Sequence, residues 1–207
     1  MRRLKQTKGL IKQIGLSTYA LSHIRYPNPF YEDVADQALG IDELKAVPQK
    51  EMHGYVEGML VELGNFNNYD TYTADSNVVF NGKPLGELAT YRGLPQFTYP
   101  SILDKVGRID VIWFEDGFPI KTFDVENSTD FTKALFRAFQ LKSFKTRFYM
   151  VANANKKSVY DNRVNTKPFD SIKDNTEFVP YLSVYELYKD AAIMSKKIKS
   201  SAIFNRA

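Results

Sequence analysis

The sequence has no cysteine and only two histidines, His23 and His53, among its 207 residues. The lack of cysteine excludes disulfide bridges, thiolate zinc sites and cysteine nucleophiles, and two histidines argue against an imidazole cluster around a metal. Long apolar runs are also missing, and the cationic amino terminus is not followed by the continuous apolar stretch of a signal peptide. We therefore predict a cytoplasmic protein without a membrane partner.

The chain has enough apolar residues to form a core, with 43% hydrophobic, 14% aromatic and 25% charged residues. This composition is typical of globular proteins and not of disordered ones. Residues 1–47 show helical patterns interrupted by Pro27 and Pro29, which predicts a helical appendage. Residues 48–207 mix helix and strand patterns and predict one α/β domain, with a central mixed sheet flanked by helices.

Hydrophobic periodicity places the elements of that domain. A strand–turn–strand unit surrounds the turn signal Glu115-Asp116-Gly117, and Ser128 or Thr129 is expected to cap the helix that follows it. The other predicted elements, in chain order, are a helix over 50–63 ended by Gly64, a strand over 69–75, a hairpin over 78–91, a helix with the apolar face Phe131, Leu135, Ala138 and Leu141, a strand over 147–153, a short helix over 156–165, a strand over 179–186 and a helix over 187–202.

The formal net charge of +4 conceals an uneven distribution. Residues 15–132 hold 18 acids and 8 bases, whereas residues 133–167 hold nine bases and one acid. A basic stretch of this kind is the pattern expected of a protein that contacts phosphates, although segregation of charge on solvated faces is the simpler alternative. The residues that we predict to contact DNA are Lys133, Arg137, Lys142, Lys145, Lys156, Lys157 and Arg163.

Three carboxylates are predicted to meet at the ends of two core strands. Alternation along residues 118–126 puts Asp124 and Glu126 on one face, and the hairpin returns them to the side of Asp110. Acids so placed repel one another unless a cation lies between them, and oxygen ligands favour Mg²⁺ or Mn²⁺. Each acid taken alone can instead lie at an exposed strand end beside an Arg or Lys. The apolar neighbours argue against that for the set, since an unpaired buried carboxylate is costly.

The helix after the acidic strand carries Lys133, Arg137 and Gln140 at the spacing of one helix face. We interpret Arg137 and Gln140 as candidate contacts to the phosphate or to the active site. A solvated helix face is the alternative for both residues.

The segment from Ile109-Asp110 through thirteen residues to Asp124-Val125-Glu126, followed at once by a helix, resembles the PD-(D/E)XK nuclease superfamily, the restriction-endonuclease-like proteins. The resemblance implies that Asp110, Asp124 and the carbonyl of Val125 ligate Mg²⁺. It also implies that Glu57, on the preceding helix, assists the metal. The expected function is that of a Mg²⁺-dependent endonuclease of restriction type, which hydrolyses phosphodiester bonds of double-stranded DNA.

Residue 126 departs from the pattern, because Glu126 stands where the superfamily usually has Lys. A subset of type II restriction enzymes has the same acid-x-acid form and is active, so Glu126 is a candidate general base or ligand of a second metal. The alternatives are a DNA-binding module of the nuclease fold that has lost catalysis, and a structural domain that binds a protein partner. Since cutting two strands usually needs two sites, we expect a homodimer or a domain of a larger assembly.

Overall fold

The computed structural model describes residues 11–13, 19–21, 47, 49–127 and 130–200. Ile11–Gln13 (β1) and Tyr19–Leu21 (β2) pair as an antiparallel ladder. These stretches are strands where a helical appendage was predicted, because each satisfies its backbone groups by pairing with the other. The rest of the appendage apart from Val47 lies outside the described residues, and the domain boundary after residue 47 stays a prediction.

The remaining described residues form six helices and seven strands. The helices are α1 (Gln49–Phe66), α2 (Leu85–Leu88), α3 (Pro100–Val106), α4 (Thr132–Gln140), α5 (Lys157–Val164) and α6 (Tyr181–Ser200). The strands are β3 (Asp70–Thr73), β4 (Val79–Phe80), β5 (Lys83–Pro84), β6 (Val111–Glu115), β7 (Phe118–Glu126), β8 (Arg147–Ala152) and β9 (Thr176–Pro180). Short 3₁₀ turns cover Ala154–Lys156, Phe169–Ser171 and Lys173–Asn175.

The central sheet has five strands in the order β3-β6-β7-β8-β9. The first two pairings are antiparallel, and β7 with β8 and β8 with β9 are parallel. The predicted hairpin between β6 and β7 is confirmed, with Asp116 and Gly117 at φ 51° and 81° in its turn. Helix α4 connects β7 to the parallel β8, as a parallel pair requires. The predicted α/β class with a mixed sheet is confirmed, and the architecture is consistent with a restriction-endonuclease-like fold.

Helices cover both faces of this sheet, which explains the apolar character of its central strands. Val111, Phe123 and Val125 pack with α1 and α6 on one face. Ile112 and Phe148 lie in the other core with α3, α4 and α5. The apolar face predicted for α4 is confirmed, since all four of its residues are buried. Within the part of the chain that the structure describes, no helix is long and apolar enough to cross a membrane.

The sequence context of Gly64 predicted that α1 ends there, and this prediction is wrong. The helix continues to Phe66, and the backbone at Gly64 lies against β3 and β6. A Cβ atom there would lie 2.5 Å from Thr71 Cγ2 and 2.6 Å from Trp113 Nε1. The glycine therefore permits a close helix–sheet approach, and the Trp113 indole N–H donates to the carbonyl of Leu60 at 3.0 Å beside it.

The strand predicted over residues 179–186 is wrong for most of its length. Strand β9 ends at Pro180 and α6 begins at Tyr181. Val184, Tyr185 and Tyr188 are buried with Tyr181 at helical spacing, and a short apolar run does not distinguish a buried helix from a strand.

The helix cap predicted at Ser128 or Thr129 falls outside the described residues. Just beyond it, the Asp130 carboxylate accepts a hydrogen bond from the Thr132 backbone N–H at 2.9 Å. An acceptor at the start of α4 satisfies one of the free N–H groups of its first turn.

Candidate active site

The candidate site lies where β7 outruns its antiparallel partner. Val111, the first residue of β6, pairs with Phe123, so the edge of β7 beyond Phe123 has no strand partner on that side. Asp110 fills this position, because its Oδ2 atom accepts a hydrogen bond from the Val125 N–H at 2.7 Å. N–H and C=O groups of one strand residue point to the same edge, so the Val125 carbonyl also faces Asp110.

Asp124 and Arg137 form the central ion pair of this site. The Asp124 side chain is fully buried, and its Oδ1 atom accepts from Arg137 Nε at 2.7 Å and lies 2.5 Å from a terminal guanidinium nitrogen. The same nitrogen is 3.7 Å from Glu126 Oε1. Burial raises the pKa of Asp124 well above its usual range, while the Arg137 charge acts in the opposite direction. Among the described residues, Asp124 Oδ2 has no hydrogen-bond partner.

Helix α1 contributes a second buried acid from the opposite layer. Glu57 is fully buried, and its Oε1 atom lies 3.0 Å from Nε2 of His53, one turn earlier. Burial raises the pKa of Glu57 to about 7, and the contact with Glu57 raises that of His53 to about 9 despite the burial of the imidazole. His53 Nε2 also lies 3.8 Å from Asp110 Oδ2, which joins the α1 side of the site to the strand side.

The environment of the acids in this site disfavours their negatively charged forms. Burial is the main cause that raises the pKa of Asp110 to about 6, against the opposing effects of His53 and the Val125 N–H. Glu57 Oε2 and Asp124 Oδ2 have no hydrogen-bond partner in the described part of the chain. Buried oxygens in that condition fit a cation, and carboxylates with a backbone carbonyl form a donor set for a hard ion such as Mg²⁺ or Mn²⁺.

Sequence reasoning missed two residues that the structure brings to the site. His53 lies against Glu57, and Asp75, just beyond β3, has its Oδ2 atom 4.0 Å from His53 Nε2. The spacing of His53 and Glu57, one turn apart on a helix, was a signal in the sequence. Asp75 had none, because its position depends on the pairing of Thr73 with Val111 across the sheet.

The stripe predicted along α4 divides in the structure. Arg137 points to the acids, whereas Gln140 Nε2 donates to the carbonyl of Phe136 in its own helix at 3.1 Å. The structure therefore does not bring Gln140 to the acids. Lys133, at the other end of the stripe, is exposed. The roles predicted for these three residues in catalysis or DNA contact stay predictions.

The other basic residues predicted to contact DNA occupy two areas. Lys142 and Lys145 are exposed after α4, with the Lys142 ammonium 4.3 Å above the ring of Phe139. Lys156 donates to the carbonyl of Asn127, next to Glu126, and Arg163 lies 3.5 Å from Asp130. Lys157 pairs with Asp161 at 2.8 Å in its own helix. Lys156 and Arg163 thus connect the basic segment with the loop that leaves the acidic strand.

The chain matches a known protein family over most of its length. A sequence model of the family described as the type II restriction enzyme NmeDI C-terminal domain matches residues 34–205, well over half of the chain. Neither the curated proteins nor the solved structures gave a significant match. The matched range includes every site residue described above and the whole five-stranded sheet. With this coverage, the chain belongs to the family of the type II restriction enzyme NmeDI C-terminal domain.

Proposed function

We propose that this protein is a Mg²⁺-dependent endonuclease of the PD-(D/E)XK type that hydrolyses phosphodiester bonds of double-stranded DNA. Its family is named after a domain of a type II restriction enzyme, which supports action on DNA. The observation that carries the proposal is the buried carboxylate of Asp124. One of its oxygens is held by Arg137 and the other has no hydrogen-bond partner in the described residues, beside the second carboxylate of Asp110.

Asp110, Asp124, Glu57 and the Val125 carbonyl are the groups that we propose to hold the metal. Mg²⁺ or Mn²⁺ bound there would polarise a phosphoryl oxygen and lower the pKa of a bound water. Because Arg137 holds Oδ1 of Asp124, the carboxylate is kept in one orientation with Oδ2 free to ligate. The Val125 N–H orients Asp110 in the same way.

Glu126 and Arg137 take the place of the usual lysine in this proposal. We propose that Glu126, which is only partly buried at the end of β7, accepts a proton from the attacking water. The Arg137 guanidinium lies between Asp124 and Glu126 and offsets their charge, so that a phosphate diester can approach an acidic site. Arginine does this without a proton change, since its guanidinium stays charged.

The basic segment supplies the remaining attraction for DNA. Lys156 and Arg163 border the loop after β7, and Lys142 and Lys145 are exposed beyond α4. Contacts of lysine and arginine to phosphates give binding energy that depends on salt and not on base sequence. We further propose that two copies, or this domain within a larger assembly, act together to cut both strands.

The test is cleavage of supercoiled plasmid with Mg²⁺, with Mn²⁺ and with chelator, using wild type, Asp124→Asn and Glu115→Gln. Glu115 is an exposed acid at the far end of β6, so its variant is a matched loss of one negative charge outside the site. We expect metal-dependent cutting by wild type and Glu115→Gln and none by Asp124→Asn. Cutting that persists in Asp124→Asn, or no cutting by wild type under any condition, would contradict the proposal.

A second candidate function is DNA binding without catalysis. The Arg137 guanidinium and the His53 imidazole already lie against the acids, and positive charge on such groups can stabilise a buried acidic cluster without a metal. This candidate predicts salt-dependent retention of duplex DNA by wild type and no metal-dependent cleavage. If wild type neither retains duplex DNA nor cleaves it, the result would instead favour a domain that binds a protein partner.

A further inference from the structure

We infer that His53 and Asp75, with Glu57 as a ligand shared between the two positions, form a second cation position beside Asp110 and Asp124, one that prefers Mn²⁺ or another transition metal to Mg²⁺. This inference rests on the proposed function, since it adds a position to the same site. It assigns a ligand role to an imidazole and to Asp75, which the resemblance to nucleases does not include.

The geometry brings together side chains from two separate elements. His53 and Glu57 follow one another by one turn on α1, and Asp75 comes from the loop after β3. One ligand atom from each lies within 4.8 Å of the other two. Nε2 of His53 is 3.0 Å from Glu57 Oε1 and 4.0 Å from Asp75 Oδ2. The atoms that coordinate a single ion are roughly 3–4 Å apart. Small movements of these side chains would therefore let all three atoms coordinate one ion.

The buried carboxylate of Glu57 is a separate observation that points to a ligand. Its side chain is fully buried, yet Oε2 has no hydrogen-bond partner among the described residues. A carboxylate oxygen without a partner in a low-dielectric environment costs free energy, which a bound cation would recover. Asp75 is half exposed, with 51% of its side chain accessible, and gives an ion a path from solvent to Glu57.

The ligand types decide which metal this position prefers. Imidazole nitrogen with carboxylate oxygens suits first-row transition metals, whereas Mg²⁺ is usually bound by oxygen atoms alone. The position at Asp110 and Asp124 has only oxygen ligands, so the two positions differ in preference. They adjoin, because His53 Nε2 lies 3.8 Å from Asp110 Oδ2.

Electron paramagnetic resonance of bound Mn²⁺ tests the inference without any measurement of activity. Pulsed spectra detect the ¹⁴N nucleus of an imidazole that is directly coordinated. The sequence contains only one other histidine, so His23→Gln is the matched control for His53→Gln. We expect wild type and His23→Gln to show the ¹⁴N modulation and His53→Gln to lose it. Modulation that persists in His53→Gln, or that disappears in His23→Gln, would overturn the inference.

Calorimetric titration with Mn²⁺ provides the second arm. We expect wild type to bind about two ions per chain and both Asp75→Asn and Asp124→Asn about one. Asp75 is an exposed loop residue, so Asp75→Asn keeps the test decisive where His53→Gln fails to fold. An unchanged number of ions in Asp75→Asn, or displacement of the ¹⁴N-coordinated Mn²⁺ by an equal concentration of Mg²⁺, would overturn the inference.

The proposed function and this inference can fail separately. A wild type that shows ¹⁴N-coordinated Mn²⁺ but does not cut plasmid would retain the second position and contradict the nuclease. A wild type that cuts plasmid with Mg²⁺ and shows no ¹⁴N modulation would retain the nuclease and contradict the second position.

Discussion

Glu57 and Glu62 lie five residues apart on α1, both are almost completely buried, and burial raises the pKa of each to about 7. Their surroundings differ. Glu62 Oε2 accepts a hydrogen bond from the neutral hydroxyl of Tyr188 on α6 at 2.6 Å. Glu57 instead faces His53 and contributes to a cluster with Asp110. Burial alone therefore does not identify a functional acid, whereas convergence of several charged groups on one point does.

The two regions compared are the acidic site that includes Glu57 and the surroundings of Glu62. The largest expected difference between them is in plasmid cleavage. Asp124→Asn removes a proposed metal ligand and should lower the cleavage rate more than about a thousandfold, as loss of one member of a catalytic unit does. Glu62→Gln should cut within a fewfold of wild type, since the Glu62 carboxylate accepts its hydrogen bond from Tyr188 on α6. Initial rates of nicking at saturating Mg²⁺ measure both. Equal losses in the two variants would remove the distinction between the regions.

Removal of the Arg137 guanidinium should cause the largest change in the free energy of unfolding. Arg137→Met leaves the fully buried Asp124 without its partner, which we expect to lower the free energy of unfolding by about 3 kcal/mol in chelator. Arg147→Met is the matched control, because Arg147 is exposed at the start of β8. Urea denaturation followed by circular dichroism measures the difference. Similar midpoints for both variants would mean that the pair at Asp124 contributes little.

The pH dependence of stability should separate the two regions further. The pKa of Glu62 rises from 4.5 to about 7 on folding, so its protonated form is favoured in the folded protein. The contribution of Glu62 to the free energy of unfolding is fully present below pH 4.5 and is lost as the pH rises through about 7. Glu57 and Asp110, with raised pKa values, act in the same direction.

Mg²⁺ should restore the stability that the acids of the site lose as the pH rises, but not the stability that is lost at Glu62. We expect Glu62→Gln to be more stable than wild type by roughly 1–3 kcal/mol at pH 8 and equal to it near pH 4.5, with or without metal. The added stability from Mg²⁺ should be greater at pH 8 than at pH 5 in both proteins. Denaturation curves at the two pH values check this. An equal effect of Mg²⁺ at both would argue against binding by the acids of the site.

The smallest expected effect concerns the basic segment. Lys145→Ala should weaken binding of duplex DNA and reduce the slope of log affinity against log salt by about one, if Lys145 contacts one phosphate. Lys196→Ala, an exposed lysine on α6, is the control and should leave the slope unchanged. Fluorescence anisotropy at several salt concentrations, in chelator, measures both slopes. An unchanged slope in Lys145→Ala would remove that residue from the predicted DNA contacts.

Local patterns were enough to predict much of the fold and part of the site. Period-two alternation and the turn at Asp116-Gly117 predicted the hairpin of β6 and β7, and with it the approach of Asp110 to Asp124 and Glu126. Both features depend on residues close in sequence. The strand predicted at 179–186 was wrong because an apolar run of that length is compatible with either a buried helix or a strand.

The sequence by itself determined the absence of thiol chemistry, the mixed α/β class and the face of β7 that carries the acids. Tertiary structure decided the rest of the site. Only the packing of α1 on the sheet buries Glu57 and brings Asp75 to His53. Only the position of α4 turns Arg137 to Asp124 while Gln140 binds its own helix. The physical reason is that strand alternation is a property of neighbouring residues, whereas contacts between layers depend on how distant segments pack.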